Sequence, residues 1–144
     1  MLTGITALAV FGGCAAARRY LNRSGRREAA CWKGRVRLRA LWNEGAAFGL
    51  PIPAGVLPLA SAAALGGLWA RRRQCPLGAG LLLGGGLSNL WERVRHGRVY
   101  DYVQFPRAPG RLGRYVFNLA DFAVLAGGGL MLASRRGTSA RRRR

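Results

Sequence analysis

Four apolar segments, separated by short arginine-rich stretches, constrain this chain more than any other feature. They cover about residues 1–17, 49–70, 77–91 and 115–134. A helix that crosses the ~30 Å hydrocarbon core of a bilayer needs about 20 apolar residues, and arginines at its ends suit the phosphate layer. The pattern predicts an all-α, multi-pass membrane protein with four transmembrane helices. Residues 1–134 would form one four-helix membrane domain, and residues 135–144 a basic disordered tail.

The charge of the chain narrows the class of partner. Its formal net charge is +19, from 24 basic and five acidic residues, and half of its residues are hydrophobic. Proteins that bind single-stranded nucleic acid interleave basic and aromatic residues in polar segments. Here the arginines bracket apolar segments instead. We therefore expect contacts with membrane phospholipid and no nucleic-acid partner.

Two polar stretches alternate in the manner of strands. Between residues 32 and 42, Val36 and Leu38 are separated by arginines, and residues 98–105 show a similar pattern. Alternation with a period of two favours a β-strand over a helix. These stretches predict a small extracytoplasmic β platform beside the four helices.

The chain contains only two aspartates, Asp101 and Asp121. Asp121 opens the fourth apolar segment, where an ionisable side chain is costly and therefore indicates a functional site. An alternative is that Asp121 and Asn118 cap the start of a helix. The aspartates lie at the end of one apolar segment and the start of the next, so both can reach the same end of a helix bundle.

Other kinds of catalytic site have little support. Cys14, Cys31 and Cys75 show no metal-ligand spacing and are expected to be packing residues. His96 is the only histidine, which excludes zinc sites built from several histidines. A Ser-His-Asp site would have to use His96, yet no serine lies in a nucleophile-elbow sequence. We expect neither a metal nor a cofactor.

Three sequence blocks carry a family resemblance. They are residues 42–49 (WNEGAAFG), residues 84–102 (GGGLSNLWER, then GRVYDY from residue 97) and residues 116–121 (VFNLAD). In this order they are similar to the Asn-x-Gly-Ala-Ala-Phe, Gly-Asn-x-x-Asp-Arg…Gly-x-Val-x-Asp-Phe and Phe-Asn-x-Ala-Asp motifs of signal peptidase II. The chain thus resembles a short and divergent member of this prolipoprotein signal peptidase family.

The resemblance implies a function and a set of site residues. It implies an aspartyl endopeptidase of the bacterial inner membrane that removes signal peptides from diacylglyceryl-modified prolipoproteins, cutting before the lipidated cysteine. Asp101 and Asp121 would be catalytic. Binding or orienting roles would fall to four further residues, which are Asn43, Asn89, Arg93 and Asn118. Its partners would be lipidated prolipoproteins and membrane phospholipid, and we expect a monomer.

Other interpretations of the polar motif residues remain open. The asparagines could cap helix ends, and Arg93 could extend toward the interface with its aliphatic stem buried. Gly45, Ala46 and Ala47 would permit close backbone approach between helices.

Some positions depart from the family pattern. Glu92 replaces the usual aspartate of the Asp-Arg pair, Ser88 replaces a glycine, and the first apolar segment lacks the customary Asp and Lys. These departures motivate an alternative function, a catalytically weak or inactive paralogue that binds membrane lipid or peptide. The sequence leaves open which lipoproteins are cut and how the two aspartates divide their roles.

Overall fold

Four helices and a four-stranded sheet make up the described part of the chain. The computed structural model describes residues 1–23, 28–44 and 56–141. Side chains are described as far as residue 134. The packing role expected for residues 45–47 lies outside these ranges. The helices are α1 (Leu2–Arg23), α2 (Val56–Ala70), α3 (Pro76–His96) and α4 (Leu119–Arg141).

The prediction of an all-α protein with four transmembrane helices is wrong. Within the described ranges, no helix combines the length and the apolar character needed to cross a bilayer. α2 has 15 residues, or ~22 Å of helix, where about 20 apolar residues are required. α1 and α3 are longer, but they reach that length by including charged side chains such as Arg18 and Glu92. The sheet makes the class α plus β.

The sheet is antiparallel, with its strands in chain order. Its strands are β1 (Glu28–Cys31), β2 (Val36–Asn43), β3 (Val99–Gln104) and β4 (Val116–Phe117). The two strands predicted from alternation are confirmed as β2 and β3. The first begins later than predicted, because Trp32 and Lys33 have positive φ angles of 49° and 56° and open a short 3₁₀ turn.

Glycines let the helices pack closely around α3. A Cβ added at Gly84 would lie 2.6 Å from the carbonyl oxygen of Ala7 in α1, and one at Gly85 would lie 2.6 Å from that of Ala120 in α4. Any side chain at either position would force the helices apart. α3 is therefore the central helix, and its last two turns, which carry Asn89 and Arg93, lie beside the first turn of α4.

The sheet covers this same end of the helices. Leu21 of α1 forms a buried cluster with Tyr100 and Tyr102 of β3, and Leu38 of β2 packs against it. α3 ends at His96 and is followed by Gly97, whose φ of 70° is left-handed and is readily adopted by glycine at a helix end. The chain then turns directly into β3, which carries Asp101. The fourth apolar segment begins with β4 rather than with helix, and α4 continues to Arg141, into the residues assigned to a tail.

Candidate active site

Asp101 is buried in β3, next to the neighbouring strand β2. Its side chain is almost inaccessible, with 3% of the residue surface exposed. Asn43 of β2 donates from Nδ2 to Oδ2 of Asp101 at 3.0 Å. Asn118, just before α4, donates from Nδ2 to Oδ1 at 2.8 Å. Each carboxyl oxygen of Asp101 thus accepts one amide hydrogen, which holds the carboxyl group in one orientation.

Asp121 lies in the first turn of α4 and forms a reciprocal cap with Asn118. The backbone N–H of Asn118 donates to Oδ2 of Asp121 at 2.9 Å, and the backbone N–H of Asp121 donates to Oδ1 of Asn118 at 3.0 Å. This is the arrangement of a capping box, with Asn118 as the cap. The helix cap described as an alternative is therefore present, and it is compatible with a role of Asp121 in the site. It leaves Oδ1 of Asp121 available to the site.

Two asparagines, Asn89 and Asn118, connect the two carboxyl groups. Asn89 of α3 donates from Nδ2 to Oδ1 of Asp121 at 3.0 Å, and its Oδ1 accepts a hydrogen bond from Asn118 Nδ2 at 3.1 Å. Asn118 therefore contacts both aspartates as well as Asn89, and it is itself buried. A network in which each buried amide has partners is rigid, because breaking one contact leaves a polar group unpaired.

The pKa of Asp101 is raised from 3.8 to about 6. Burial is the largest cause, because it penalises the charged form, and the nearby charge of Asp121 acts in the same direction. The amides of Asn43 and Asn118 and the positive charge of Arg93 oppose these effects. Asp101 therefore keeps a proton to a pH at which an exposed aspartate would be ionised.

Arg93 provides positive charge beside the aspartates. It lies on α3 one turn after Asn89 and is half-buried. Burial lowers the pKa of its guanidinium group, and the charges of Asp101 and Asp121 oppose that effect. Arg93 is thus directed toward the site rather than toward solvent.

A cavity of ≈ 480 Å³ opens onto the aspartates. Its polar lining residues include both aspartates and the motif residues Asn43, Asn89 and Arg93, and Ser61 and Arg114 also line it. Apolar side chains from β2, α2, β4 and α4 form its walls, and they are Leu41, Leu57, Phe117, Val124 and Leu125. A cavity with a mainly apolar lining and a cluster of polar groups suits a ligand that has a reacting polar group and a hydrophobic part.

The structure brings together all six polar residues selected from the sequence. Five of them line the cavity, and the sixth, Asn118, is hydrogen-bonded to Asp101. His96 is exposed and packs edge-on against Trp42, with ring centroids 6.0 Å apart. This contact gives no support to a site built on His96. Among the described residues, no group of three His, Cys, Asp or Glu side chains could hold a metal ion.

Arg18 and Tyr102 are neighbours of the site to which no sequence motif assigned a role. Arg18 of α1 forms an ion pair with Glu92 of α3, with 3.1 Å between Nε and Oε1. Tyr102 accepts a hydrogen bond at Oη from the backbone N–H of Leu119 at 3.1 Å and so ties β3 to the start of α4. A charged residue at the end of an apolar segment was the only signal for Arg18, and arginines at such positions commonly do no more than face lipid phosphates.

Comparison with known proteins gives a consistent result. Residues 8–135 match the sequence profile described as Signal peptidase (SPase) II. A lipoprotein signal peptidase of Methylobacterium radiotolerans is 40% identical over 97 residues, covering 60% of this chain and 56% of that protein. One from Nitrobacter hamburgensis is 39% identical over 98 residues, covering 60% of each chain. The chain therefore spans somewhat more than half the length of these relatives.

Two solved structures share the fold. Both are described as bacterial membrane enzymes, and they superpose with TM-scores of 0.84 and 0.79. The matches cover 96% and 92% of this chain and 90% of each solved chain. Their sequence identities to this chain are 17% and 18%, so the likeness concerns the fold alone.

Proposed function

The chain belongs to the signal peptidase II family, and from this premise we propose that it is an aspartic-type endopeptidase acting on prolipoproteins. It would remove the signal peptide from a precursor whose cysteine already carries diacylglycerol, cutting just before that cysteine. The observation that carries this proposal is the linkage of Asp101 and Asp121 through Asn118, with both aspartates lining a mainly apolar cavity.

Two carboxyl groups in such a site can divide acid and base roles. Close carboxylates cannot both ionise cheaply in a partly dry cavity, so the pair titrates as a unit. The ionised member removes a proton from water as the water attacks the scissile carbonyl, and the protonated member donates to the carbonyl oxygen. We assign the proton to Asp101, because its burial favours the neutral form. The roles then exchange as the leaving amine takes up a proton.

The asparagines would hold the aspartates while the reaction proceeds. Asn43 and Asn118 donate to Asp101, and Asn89 and Asn118 donate to Asp121. Fixed donors of this kind avoid the reorganisation that solvent would need as charge develops. Arg93 supplies a nearby positive charge for an oxyanion or for the carboxylate formed by cleavage.

The cavity walls support a lipidated substrate. Leu57 of α2 faces the same cavity as Val124 and Leu125 of α4. An acyl chain placed there would leave its glyceryl-cysteine end near the aspartates. Because such substrates are anchored by lipid, we place the reaction at the bacterial inner membrane. We propose that the protein acts as a monomer.

Phospholipid would be the second partner of the protein. Arg37 and Arg39 alternate with half-buried residues along β2 and are exposed on the outer face of the sheet. Arginines on one face of a strand can bind lipid phosphates through paired hydrogen bonds. This face would hold the sheet at the membrane surface, next to the cavity.

The alternative of an inactive binding paralogue rested partly on Glu92 and Ser88. Both are buried and have partners, since Glu92 pairs with Arg18, and Oγ of Ser88 accepts a hydrogen bond from Arg18 Nη1 at 3.0 Å. Glu92 and Ser88 therefore form specific contacts within the folded protein. No contact among the described site residues favours binding without cleavage.

The proposal is tested with the purified protein in phospholipid vesicles. A precursor peptide carrying diacylglyceryl-cysteine and the same peptide with an unmodified cysteine are supplied in parallel, and the products are identified by mass spectrometry. We expect a single cut before the modified cysteine and much slower cutting of the unmodified peptide. Tight binding of the modified peptide without cleavage would replace the proposal with the binding alternative.

A further inference from the structure

A second polar cluster lies behind Asp101, on the side of α3 that faces α1. Its centre is Glu92, which is 3% exposed. Arg18 contacts it through Nε at 3.1 Å and also donates from Nη1 to Oγ of Ser88 at 3.0 Å. The other carboxyl oxygen of Glu92 accepts from the backbone N–H of Tyr100 at 3.0 Å. One carboxylate therefore joins α1, α3 and β3.

We propose that the Arg18–Glu92 pair is a positioning device for Asp101. Tyr100 immediately precedes Asp101 in β3, so the hydrogen bond from its N–H to Glu92 fixes the backbone next to the Asp101 carboxyl group. Arg18 in turn holds Glu92 through the ion pair and cannot turn away freely, because it is also bound to Ser88. Neither residue lines the cavity. The inference rests on the proposed function, which makes Asp101 a catalytic group.

A buried ion pair is a poor source of stability, and this favours a positioning role. Removing two charges from water costs about as much as their attraction returns, whereas the geometry of the pair is strict. Burial raises the pKa of Glu92, and the backbone N–H of Tyr100 and the charge of Arg18 are the largest opposing effects. Arg93 and His96, on the same helix, add weaker support for the ionised form.

A second ion pair among the described residues offers a matched control. Arg98 and Glu44 lie 3.8 Å apart, with 45% and 79% of their side chains exposed. Exposed pairs of this kind contribute little. E44Q therefore removes one acid without disturbing a buried contact, whereas R18Q and E92Q remove one partner of the buried pair.

Cleavage kinetics provide the first test. A catalytic group displaced by an ångström can cost about 100-fold in rate, so we expect R18Q and E92Q each to lower kcat by about 10-fold or more, with KM changed less than about 3-fold. The double variant R18Q/E92Q should recover much of the loss, because two neutral amides can pair with each other. R18K keeps the charge and should lie between wild type and R18Q, and it replaces R18Q if that variant does not fold. E44Q should match wild type.

A second test does not depend on activity. Because the chain has only two aspartates, labelling aspartate with ¹³C at Cγ gives two carboxyl resonances, and D121N identifies that of Asp101. The charged groups facing Asp101 are Asp121 from α4 and Arg93 from α3, while β2 contributes the neutral Asn43. We expect the Asp101 midpoint to fall by about one unit in R18Q and E92Q as water reaches the carboxyl, and to stay unchanged in E44Q.

The outcomes separate the two proposals. A wild-type protein that cuts no precursor contradicts the proposed function, and the ¹³C titration then still decides the positioning role. If the wild type cuts, and R18Q and E92Q match E44Q in kcat and in the Asp101 midpoint, the positioning role is wrong. The positioning role is supported if folded R18Q and E92Q lose activity and show the lowered Asp101 midpoint, and if the double variant recovers activity.

Discussion

The side-chain amide of Asn118 donates to Oδ1 of Asp101 at 2.8 Å. The same residue caps α4 through its reciprocal hydrogen bonds with Asp121. A single asparagine therefore determines both where α4 begins and how the two aspartates lie relative to each other. Helix capping and construction of the site are two consequences of one set of contacts.

Substitution of Asn118 should separate these two roles. Serine is a good helix cap but is too short to reach Asp101, whereas alanine removes both contacts. We expect both variants to be less stable than the wild type by about 1–3 kcal/mol, because Asp101 Oδ1 loses its donor, and N118A to lose about 1 kcal/mol more than N118S, because only serine keeps the cap. Both should lose about 100-fold in kcat. Thermal unfolding and initial rates measure the two effects, and an active N118S would show that the amide is unnecessary.

The pH dependence of cleavage should reflect Asp101. If its protonated form donates to the scissile carbonyl, that form disappears as the pH rises through about 6. We expect kcat/KM to fall toward alkaline pH with an apparent pKa near that value, approaching tenfold per pH unit. A profile from pH 4.5 to 8 measures this. A rate that rises through pH 6 would assign the base role to Asp101 instead.

Stability should also change with pH, in a direction set by the burial of Asp101. The folded protein holds this proton to about pH 6, but an unfolded chain releases it near 3.8. Between these values the folded state binds more protons, so stability falls as the pH rises, by about 3 kcal/mol in total. D101N should show a much weaker slope, with Glu92 contributing the remainder. Equal slopes in chemical denaturation would contradict the burial effect.

The apolar cavity wall should control the affinity for lipidated substrate. Leu125 lines the cavity and is 65% exposed, and Leu132 of the same helix is 63% exposed but lies elsewhere. L125W narrows the space for an acyl chain, and L132W is its matched control. We expect KM for the diacylglyceryl peptide to rise about 10-fold in L125W only. Equal KM values in the two variants would place the lipid outside this cavity.

The sequence predicts which residues meet in the site better than it predicts the bounds and character of the helices. The motif positions Asn43, Asn89 and Asn118 do meet Asp101 and Asp121. Asn43 ends β2, Asn118 precedes α4, and Asn89 lies in the last two turns of α3. Their catalytic role stays a prediction. Alternation along β2 and β3 was sufficient to identify these strands, since a helix with one buried face does not produce a period of two.

The incorrect prediction and the missed contact have physical reasons. Apolar composition indicated four membrane spans, but the helix bounds include charged turns in α1 and α3 and leave α2 with 15 residues. The pairing of Arg18 with Glu92 joins residues 74 positions apart. Such a contact depends on the packing of α1 against α3, which no local pattern reports. From the sequence, Glu92 could therefore be interpreted only as a departure from the family's aspartate that weakens activity.

The most direct test of the central claim is cleavage of the diacylglyceryl precursor by D101N, D121N and the double variant. The exposed Glu28 provides the control E28Q, and thermal unfolding confirms that each variant is folded. Because the two carboxyl groups act as a unit, we predict that each single variant loses about 10⁴-fold or more in kcat, and that the double variant is no worse than either. A folded D101N or D121N that keeps more than about a tenth of wild-type activity would contradict the aspartyl mechanism, since removing one member of a catalytic unit costs orders of magnitude.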